Sequence, residues 1–218
     1  MKKLFLSILF SALYVTSASA DLGVNIGVSG NAGIFTATAT ETFTPRSTMN
    51  RNQNGSEHGE IGYMSLFIEK TIGDILLVGI DYNPEALETD TVETSKVSAA
   101  TQATSVENTV QIDFEDLTVM YVGARLGDFY VKAGVVTVDV MTKENLGTGG
   151  AYGNTSLDGS VFGMGYHKAM DNGLFLRAEG NLMNFDGASI VNANDSEKSV
   201  KLKSLDGVTA KIAIGKSF

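Results

Sequence analysis

The chain has 218 residues, of which 43% are hydrophobic, 24 are Gly, two are Pro and none is Cys or Trp. A formal net charge of −9 argues against a nucleic-acid-binding protein, since phosphate recognition needs a clustered basic surface. The absence of Cys excludes a disulfide scaffold, a thiol enzyme and any cysteine-ligated metal site.

The first twenty residues predict a secretory signal peptide. Residues 2–3 are both Lys, residues 4–14 form an apolar run, and Ala18 and Ala20 give a small-residue cleavage site. The apolar run is about half the ~20 residues that a membrane-spanning helix needs. We therefore expect residues 1–20 to be a removed signal peptide and residues 21–218 to form one exported domain.

The remaining chain alternates apolar and polar residues, which is the period of a β-strand. From Leu22 to Ile34, the even positions are mostly apolar and the odd positions are small or polar, and the end of the chain repeats this pattern. The alternation predicts eight strands. They span residues 22–34, 60–70, 75–82, 110–126, 129–140, 160–168, 174–182 and 208–218.

Short and long connections alternate along these strands. Three of the strands are followed directly by a short turn, whereas long polar segments lie near residues 38–59, 83–109, 141–157 and 184–199. This order predicts an up-and-down meander with short turns at one rim and long loops at the other. The segment 83–109 is the longest, is acidic and rich in Thr, Ser and Ala, and is predicted to be mobile and to contact a partner, a surface or a phage.

The residue types on the two faces favour a membrane barrel. A soluble barrel turns its apolar face inward, whereas a membrane barrel turns it outward. The polar face here carries many Gly, Asn and Ser residues, which suit a narrow lumen. A soluble, secreted ligand-binding barrel remains the alternative fold. The charges of residues 110–116 predict a strand that projects above the membrane. The phase of strand 129–140 stays open, because its upper half is apolar on both faces.

The end of the chain carries a resemblance to a known family. Its alternating apolar positions resemble the C-terminal assembly signal of Gram-negative outer-membrane barrels. They are Val208, Ala210, Ile212, Ile214 and Phe218. With the eight strands, the chain resembles the small OmpA/OmpX-like barrels, from which Lys216 and the missing Trp are departures.

That resemblance implies an all-β fold, an eight-stranded antiparallel up-and-down transmembrane β-barrel in the bacterial outer membrane. It further implies contact with membrane lipid and lipopolysaccharide. It also implies transport across the periplasm with chaperones and insertion by the barrel-assembly machinery, which would recognise Phe218.

Charged residues on the polar face predict a lumenal network. They are Arg125, Lys132, His167, Arg177, Glu179 and Lys211. An eight-stranded barrel has an interior only wide enough for side chains, and buried charges there must pair. The network is expected to stabilise the barrel. The alternative is a gate in which Glu179 changes partner between Arg177 and Lys211.

No catalytic, cofactor or metal site is predicted. The loop residues Ser56 and His58 have no fixed geometry for nucleophilic catalysis. The glycine-rich segment 147–153 lacks the dinucleotide-binding spacing. Acidic residues of the long loops match no calcium motif. They are Glu85, Glu88, Asp90 and Glu93 in one loop and Asp186, Asp195 and Glu197 in another.

The sequence thus predicts a non-enzymatic outer-membrane barrel protein with a surface-interaction or envelope-stabilising role through its extracellular loops. Two alternatives stay open: a narrow channel for small or apolar molecules, and a lipid A-modifying enzyme.

Overall fold

The computed structural model describes residues 23–43, 51–97, 105–147 and 150–218. The predicted signal peptide, with Ala18 and Ala20, lies outside these residues. The described chain forms eleven strands. They are β1 (Val24–Phe43), β2 (Arg51–Ile72), β3 (Leu76–Tyr82), β4 (Leu87–Glu88), β5 (Val92–Val97), β6 (Ser105–Leu126), β7 (Phe129–Leu146), β8 (Thr155–Ala169), β9 (Leu174–Phe185), β10 (Ala188–Val191) and β11 (Lys198–Ser217).

Eight of these strands form a closed antiparallel ring. Neighbours follow the order β1-β2-β3-β6-β7-β8-β9-β11, and β11 pairs back with β1 from Asn25–Ser217 to Phe43–Lys198. The short strands β4 and β5 pair with β6, and β10 pairs with β11. The predicted eight-stranded up-and-down barrel is confirmed. In the described residues, no helix is long and apolar enough to cross a membrane.

Short turns close one rim of the barrel. Gly73, Gly127 and Gly173 sit in the turns that follow β2, β6 and β8, with φ between 60° and 78°. A side chain disfavours this backbone conformation, so glycine suits all three positions. At the same rim, Val24 and Phe218 exchange backbone hydrogen bonds of 3.2 and 2.8 Å. The predicted alternation of short turns and long connections is therefore confirmed.

The outer face of the wall is apolar. Alternate residues on every wall strand point outward and leave large apolar side chains uncovered, among them Met64, Phe162, Val208 and Ile212, the last 65% exposed. A chain in water would bury such a band, whereas lipid covers it in a membrane barrel. The prediction that the apolar face points outward is confirmed, and the soluble-barrel alternative is not supported.

Several strands continue beyond the apolar band. β1 and β2 stay paired as far as Phe43 and Arg51, and β6 and β7 stay paired as far as Asn108 and Leu146. A bulge between Glu115 and Thr118 marks the start of the extension of β6. We call these extensions of β1, β2, β6 and β7 beyond the apolar band the projection. Part of the predicted loop 83–109 is a paired strand, since β5 pairs with β6.

The phase of β7, left open by the sequence, is fixed by the structure. Its even positions point inward, from Tyr130 to Val140, and its odd positions point outward. Val136 and Val138 are fully buried in the lumen, whereas Val131 and Val135 face outward. Both faces of this strand are therefore apolar, because the upper lumen is itself apolar.

Candidate functional site

A buried ion pair joins two non-neighbouring strands across the lower lumen, which is the half of the barrel interior nearer to the short turns. The guanidinium of Arg177 on β9 donates two hydrogen bonds to the carboxylate of Glu69 on β2, at 2.5 and 2.9 Å. The amide of Asn25 and the hydroxyl of Tyr121 also donate to Glu69, at 2.9 and 3.0 Å. Both charged side chains are almost fully buried. The carboxylate thus has four donors, which is what burial of a charge requires.

His167 extends this pair toward the periplasmic rim. Its Nδ1 accepts a hydrogen bond of 2.9 Å from Nε of Arg177, and its ring stacks on Phe175 with the centroids 4.6 Å apart. An acceptor at Nδ1 requires the neutral ring that carries its proton on Nε2. The Arg177 guanidinium also lies over the rings of Phe67 and Phe175, at 5.4 and 5.0 Å, a favourable arrangement for a buried cation.

A second charged cluster lies beside the first one. The carboxylate of Glu179 accepts hydrogen bonds from Lys132 at 2.7 Å and from the Tyr130 hydroxyl at 2.5 Å. Lys211 lies 3.7 Å from Glu179 and makes its closest ion pair with Asp81. With a neutral His167, three carboxylates face three cations across the two clusters. This balance of charge lets the lower lumen be filled without an uncompensated ion.

Five of the six predicted lumenal residues meet in these clusters, and Arg125 does not. Arg125 is half-buried and lies one residue from the end of β6, at the rim of the wall. The alternative of a gate, in which Glu179 changes partner between Arg177 and Lys211, does not match the observed pairing, because Arg177 pairs with Glu69.

Two carboxylates of the network were missed by sequence reasoning. Glu69 and Asp81 occupy inward positions on β2 and β3. The residue before each of them, Ile68 and Ile80, is apolar and points outward. The alternation of the predicted strands already placed both on the lumenal face. Counting all charges on that face would have found them.

The upper lumen is filled by an apolar cluster. Its members come from the projecting side of β6, β7, β8, β9 and β11, and from the segment that follows β3. They are Leu87, Leu117, Val119, Tyr121, Val136, Val138, Val140, Leu157, Val161, Met183, Phe185 and Leu205. Between this cluster and the charges lies a cavity of only 10 Å³, lined in part by Asp81 and Asn181. One water molecule is the most that such a volume holds.

The wall opens above the last pair of β2 and β3. These strands pair from Ile72–Leu76 to Leu66–Tyr82. Beyond Tyr82 the chain follows β6, since the backbone amide of Asn83 donates to Leu117 and that of Thr89 donates to Ile112. Among the described residues, β2 from Arg51 to Ser65 pairs with β1 and with no second strand. We call the opening between residues 51–65 and residues 83–97 the seam.

Exposed carboxylates lie on both sides of the seam. On β2, Glu60 shares the outward face with Ile34, whereas Glu57 pairs with Ala37 on the inward face. Glu85, Glu88, Asp90 and Glu93 are exposed on the other side. Apolar side chains line the inner side, where Ile61 and Tyr63 of β2 and Leu87 of β4 pack into the apolar cluster.

The predicted loop histidine has a hydroxyl partner other than Ser56. Nδ1 of His58 lies 3.0 Å from Oγ1 of Thr36 on the neighbouring strand, on the exposed face. The described residues give His58 no carboxylate partner that would orient it, which a nucleophile–base pair needs.

The acidic residues of the long loops do not converge. No group of three or more His, Asp or Glu side chains within the described ranges is arranged to hold a metal ion. Asp195 instead pairs with Lys198 at 3.0 Å within the turn between β10 and β11. Part of the glycine-rich segment 147–153 lies outside the described residues.

Comparison with known proteins gives matches among solved structures alone. Neither the family models nor the curated proteins contain a match. The chain is similar to the attachment invasion locus protein Ail of Yersinia pestis, at 10% identity and TM-score 0.39, over 87% of this chain and 99% of that one. It is similar to the outer membrane protein OprG of Pseudomonas aeruginosa, at 11% identity and TM-score 0.48, over 92% and 98%.

A third similar structure is the outer membrane protease OmpT of Escherichia coli, at 8% identity and TM-score 0.44, over 94% of this chain and 99% of that one. Similarities at this level assign neither an activity nor a ligand to the chain. Its own geometry is decisive for the fold: a closed, even-numbered antiparallel barrel with an apolar outer band and short turns at one rim is the architecture of bacterial outer-membrane barrels. The predicted class and location are therefore confirmed.

Proposed function

We propose that the protein is a non-enzymatic outer-membrane barrel that acts at the cell surface through its projection. The observation that carries this proposal is the continuation of β1, β2, β6 and β7 as paired strands beyond the apolar band. Ordering so many residues outside the membrane costs conformational entropy. A barrel that served only as a membrane anchor would not need them.

The contents of the lumen support a surface role over a transport role. The lower lumen is occupied by paired charges and the upper lumen by the apolar cluster. An eight-stranded barrel has no further width for a conduit. The lumen is therefore best understood as a rigid core that holds the projection upright.

The same geometry supports the absence of an enzymatic role. His167 is engaged by Arg177 and Phe175 inside the barrel, and His58 meets only a threonine hydroxyl among the described residues. The direct test of the lipid A-modifying alternative is the lipid A profile of cells that express the wild type or His58→Ala. We expect identical profiles. A wild-type-dependent modification that His58→Ala abolishes would establish an enzyme.

The proposal is tested by trimming the projection. A variant in which an Asn-Gly turn replaces residues 38–56 shortens the β1–β2 hairpin and keeps the wall pairs below it, from Ala37–Glu57 downward. The matched control trims residues 189–199 at the β10 hairpin. Heat-dependent mobility on SDS gels checks that each variant still forms the barrel.

The readouts are surface adhesion, cell–cell aggregation and phage adsorption of expressing cells, with outer-membrane permeability measured in parallel. We expect the β1–β2 trim to abolish a surface phenotype that the control trim retains. Raised permeability without a surface phenotype would indicate the envelope-stabilising role instead. No change in either readout would overturn the proposal.

A further inference from the structure

We propose that the seam binds an extended, cationic polypeptide, which adds to the free edge of β2 as a further strand. This inference deepens the proposed function and rests on it, since it names the partner chemistry of the projection. Main-chain pairing would supply affinity, and the side chains on either side of the seam would supply selectivity.

The first observation is that one edge of β2 has no neighbouring strand among the described residues. Along β2 from Arg51 to Ser65, the side of the strand turned away from β1 has no described backbone partner. The facing segment is engaged in the same one-sided way, because β4 and β5 pair with β6 alone. Such an edge is a template for another strand. Pro is one of the devices by which proteins blunt such an edge, and residues 51–65 contain none.

The second observation is the difference between the two sides of the seam. A strand added there directs alternate side chains inward and outward. The inner positions would meet Ile61, Tyr63 and Leu87 of the apolar cluster. The outer positions would meet the exposed carboxylates of both sides, Glu60 on β2 and Glu88 on β4, which alternates with the buried Leu87. The fitting occupant therefore alternates apolar and basic residues.

The charge at the seam favours this occupant over a second copy of the chain. Two copies would bring Glu60 of one edge next to the same carboxylate of the other, and like charges on adjacent strands are destabilising. In addition, two barrels in one membrane point the same way, so their β2 edges could meet only in parallel, the less stable pairing.

The test uses the folded mature chain in zwitterionic detergent micelles and two octapeptides of equal composition. One alternates Lys and Val, and the other has four Lys followed by four Val. Binding is measured by fluorescence anisotropy, and backbone protection by amide hydrogen exchange. We expect the alternating peptide to bind more tightly and to slow exchange within residues 52–64.

The matched variants separate the seam from general charge attraction. Glu60→Gln/Glu88→Gln should weaken binding about three- to tenfold, the effect of two exposed ion pairs. Asp158→Asn/Asp186→Asn removes the same charge from two exposed positions that are joined by a backbone hydrogen bond from Asp186 to Asp158 at 2.7 Å and should leave binding unchanged. All four positions are exposed, so neither variant endangers the fold.

Equal binding of both peptides, or binding without protection of residues 52–64, would overturn the inference. A dimer that already protects these amides without peptide would also overturn it, in favour of a second copy. If trimming residues 38–56 abolishes the surface phenotype while neither peptide binds, the proposed function stands and this inference fails.

Discussion

Glu69 on β2 and Arg177 on β9 are 108 residues apart and form a bidentate ion pair across the lumen, at 2.5 and 2.9 Å. Neither strand is a neighbour of the other in the ring. The pair therefore fixes two opposite walls. Its strength comes from full burial and from the additional donors Asn25 and Tyr121.

Removing one partner of this pair should be costly. Glu69→Gln or Arg177→Met leaves an uncompensated buried charge, for which we expect a loss of about 3–5 kcal/mol in the free energy of unfolding. The double variant Glu69→Gln/Arg177→Met should lose less than the sum of the single variants, because it leaves no unpaired ion. Urea unfolding in micelles, followed by far-UV circular dichroism, measures all three. Strictly additive losses would contradict the pairing.

Close packing in the lumen should make one glycine irreplaceable. A methyl group on Gly165 would lie 2.6 Å from Cζ of Tyr130, whose hydroxyl donates to Glu179. Gly165→Ala should therefore displace the ring, break this hydrogen bond and lower stability. Gly30 has nothing within 4 Å of the same methyl position. Gly30→Ala is the matched control and should be neutral or slightly stabilising. The same urea unfolding compares the two, and equal effects would refute the argument.

The alternation of residue types was sufficient to predict the barrel and its faces, yet it could not predict the height of a residue in the lumen. Arg125 and Lys132 share the inward face, but Lys132 reaches Glu179 whereas Arg125 lies at the rim. Height depends on strand register and on bulges such as the one near Asp116, and neither follows from a period of two. For the same reason the ion pair of Glu69 with Arg177 could not be predicted from spacing.

The projection was predicted in part. The charges of residues 110–116 indicated a strand above the membrane, and β6 does extend there. The pairing of β5 with β6 was missed, because Val92–Val97 carries polar and apolar residues without clear alternation. Its strand conformation depends on pairing with β6, a contact that the local sequence does not encode.

The turn between β10 and β11 should respond to acid. The pKa of Asp195 is held below its ordinary value, first by the hydrogen bond from Lys198 and then by the backbone amide of Glu197. A carboxyl group with a lowered folded pKa stabilises the turn above its unfolded pKa of about 3.9, and that stability is lost as the pH falls through the folded pKa.

We therefore expect the backbone of this turn to stay unchanged from neutral pH to about pH 5 and to loosen below about pH 4. The amide resonance of Lys198, which donates to the Asp195 carbonyl at 3.0 Å, reports this change in NMR spectra. Asp195→Asn should remove the pH dependence. A transition of equal size in that variant would assign the change to another group.

The end of the chain should control assembly. Phe218 carries the resemblance to the outer-membrane assembly signal and also closes the ring through backbone bonds to Val24. Phe218→Ala keeps these backbone bonds and removes the ring alone, so we expect less protein in the outer membrane of cells but normal refolding into micelles. Phe218→Tyr is the control and should assemble well. Equal loss of refolding in micelles would show a structural role in place of a recognition role.

The filled lumen predicts that the protein does not conduct ions. In planar bilayers the wild type should give no regular conductance steps, since Met183 and Phe185 close the upper lumen above the paired charges. Met183→Ala/Phe185→Ala should open a leak there. Leu182→Ala/Phe162→Ala is the matched control, because both side chains face lipid. Reproducible steps from the wild type would show that the apolar cluster moves aside, and the narrow-channel alternative would then replace the surface role proposed above.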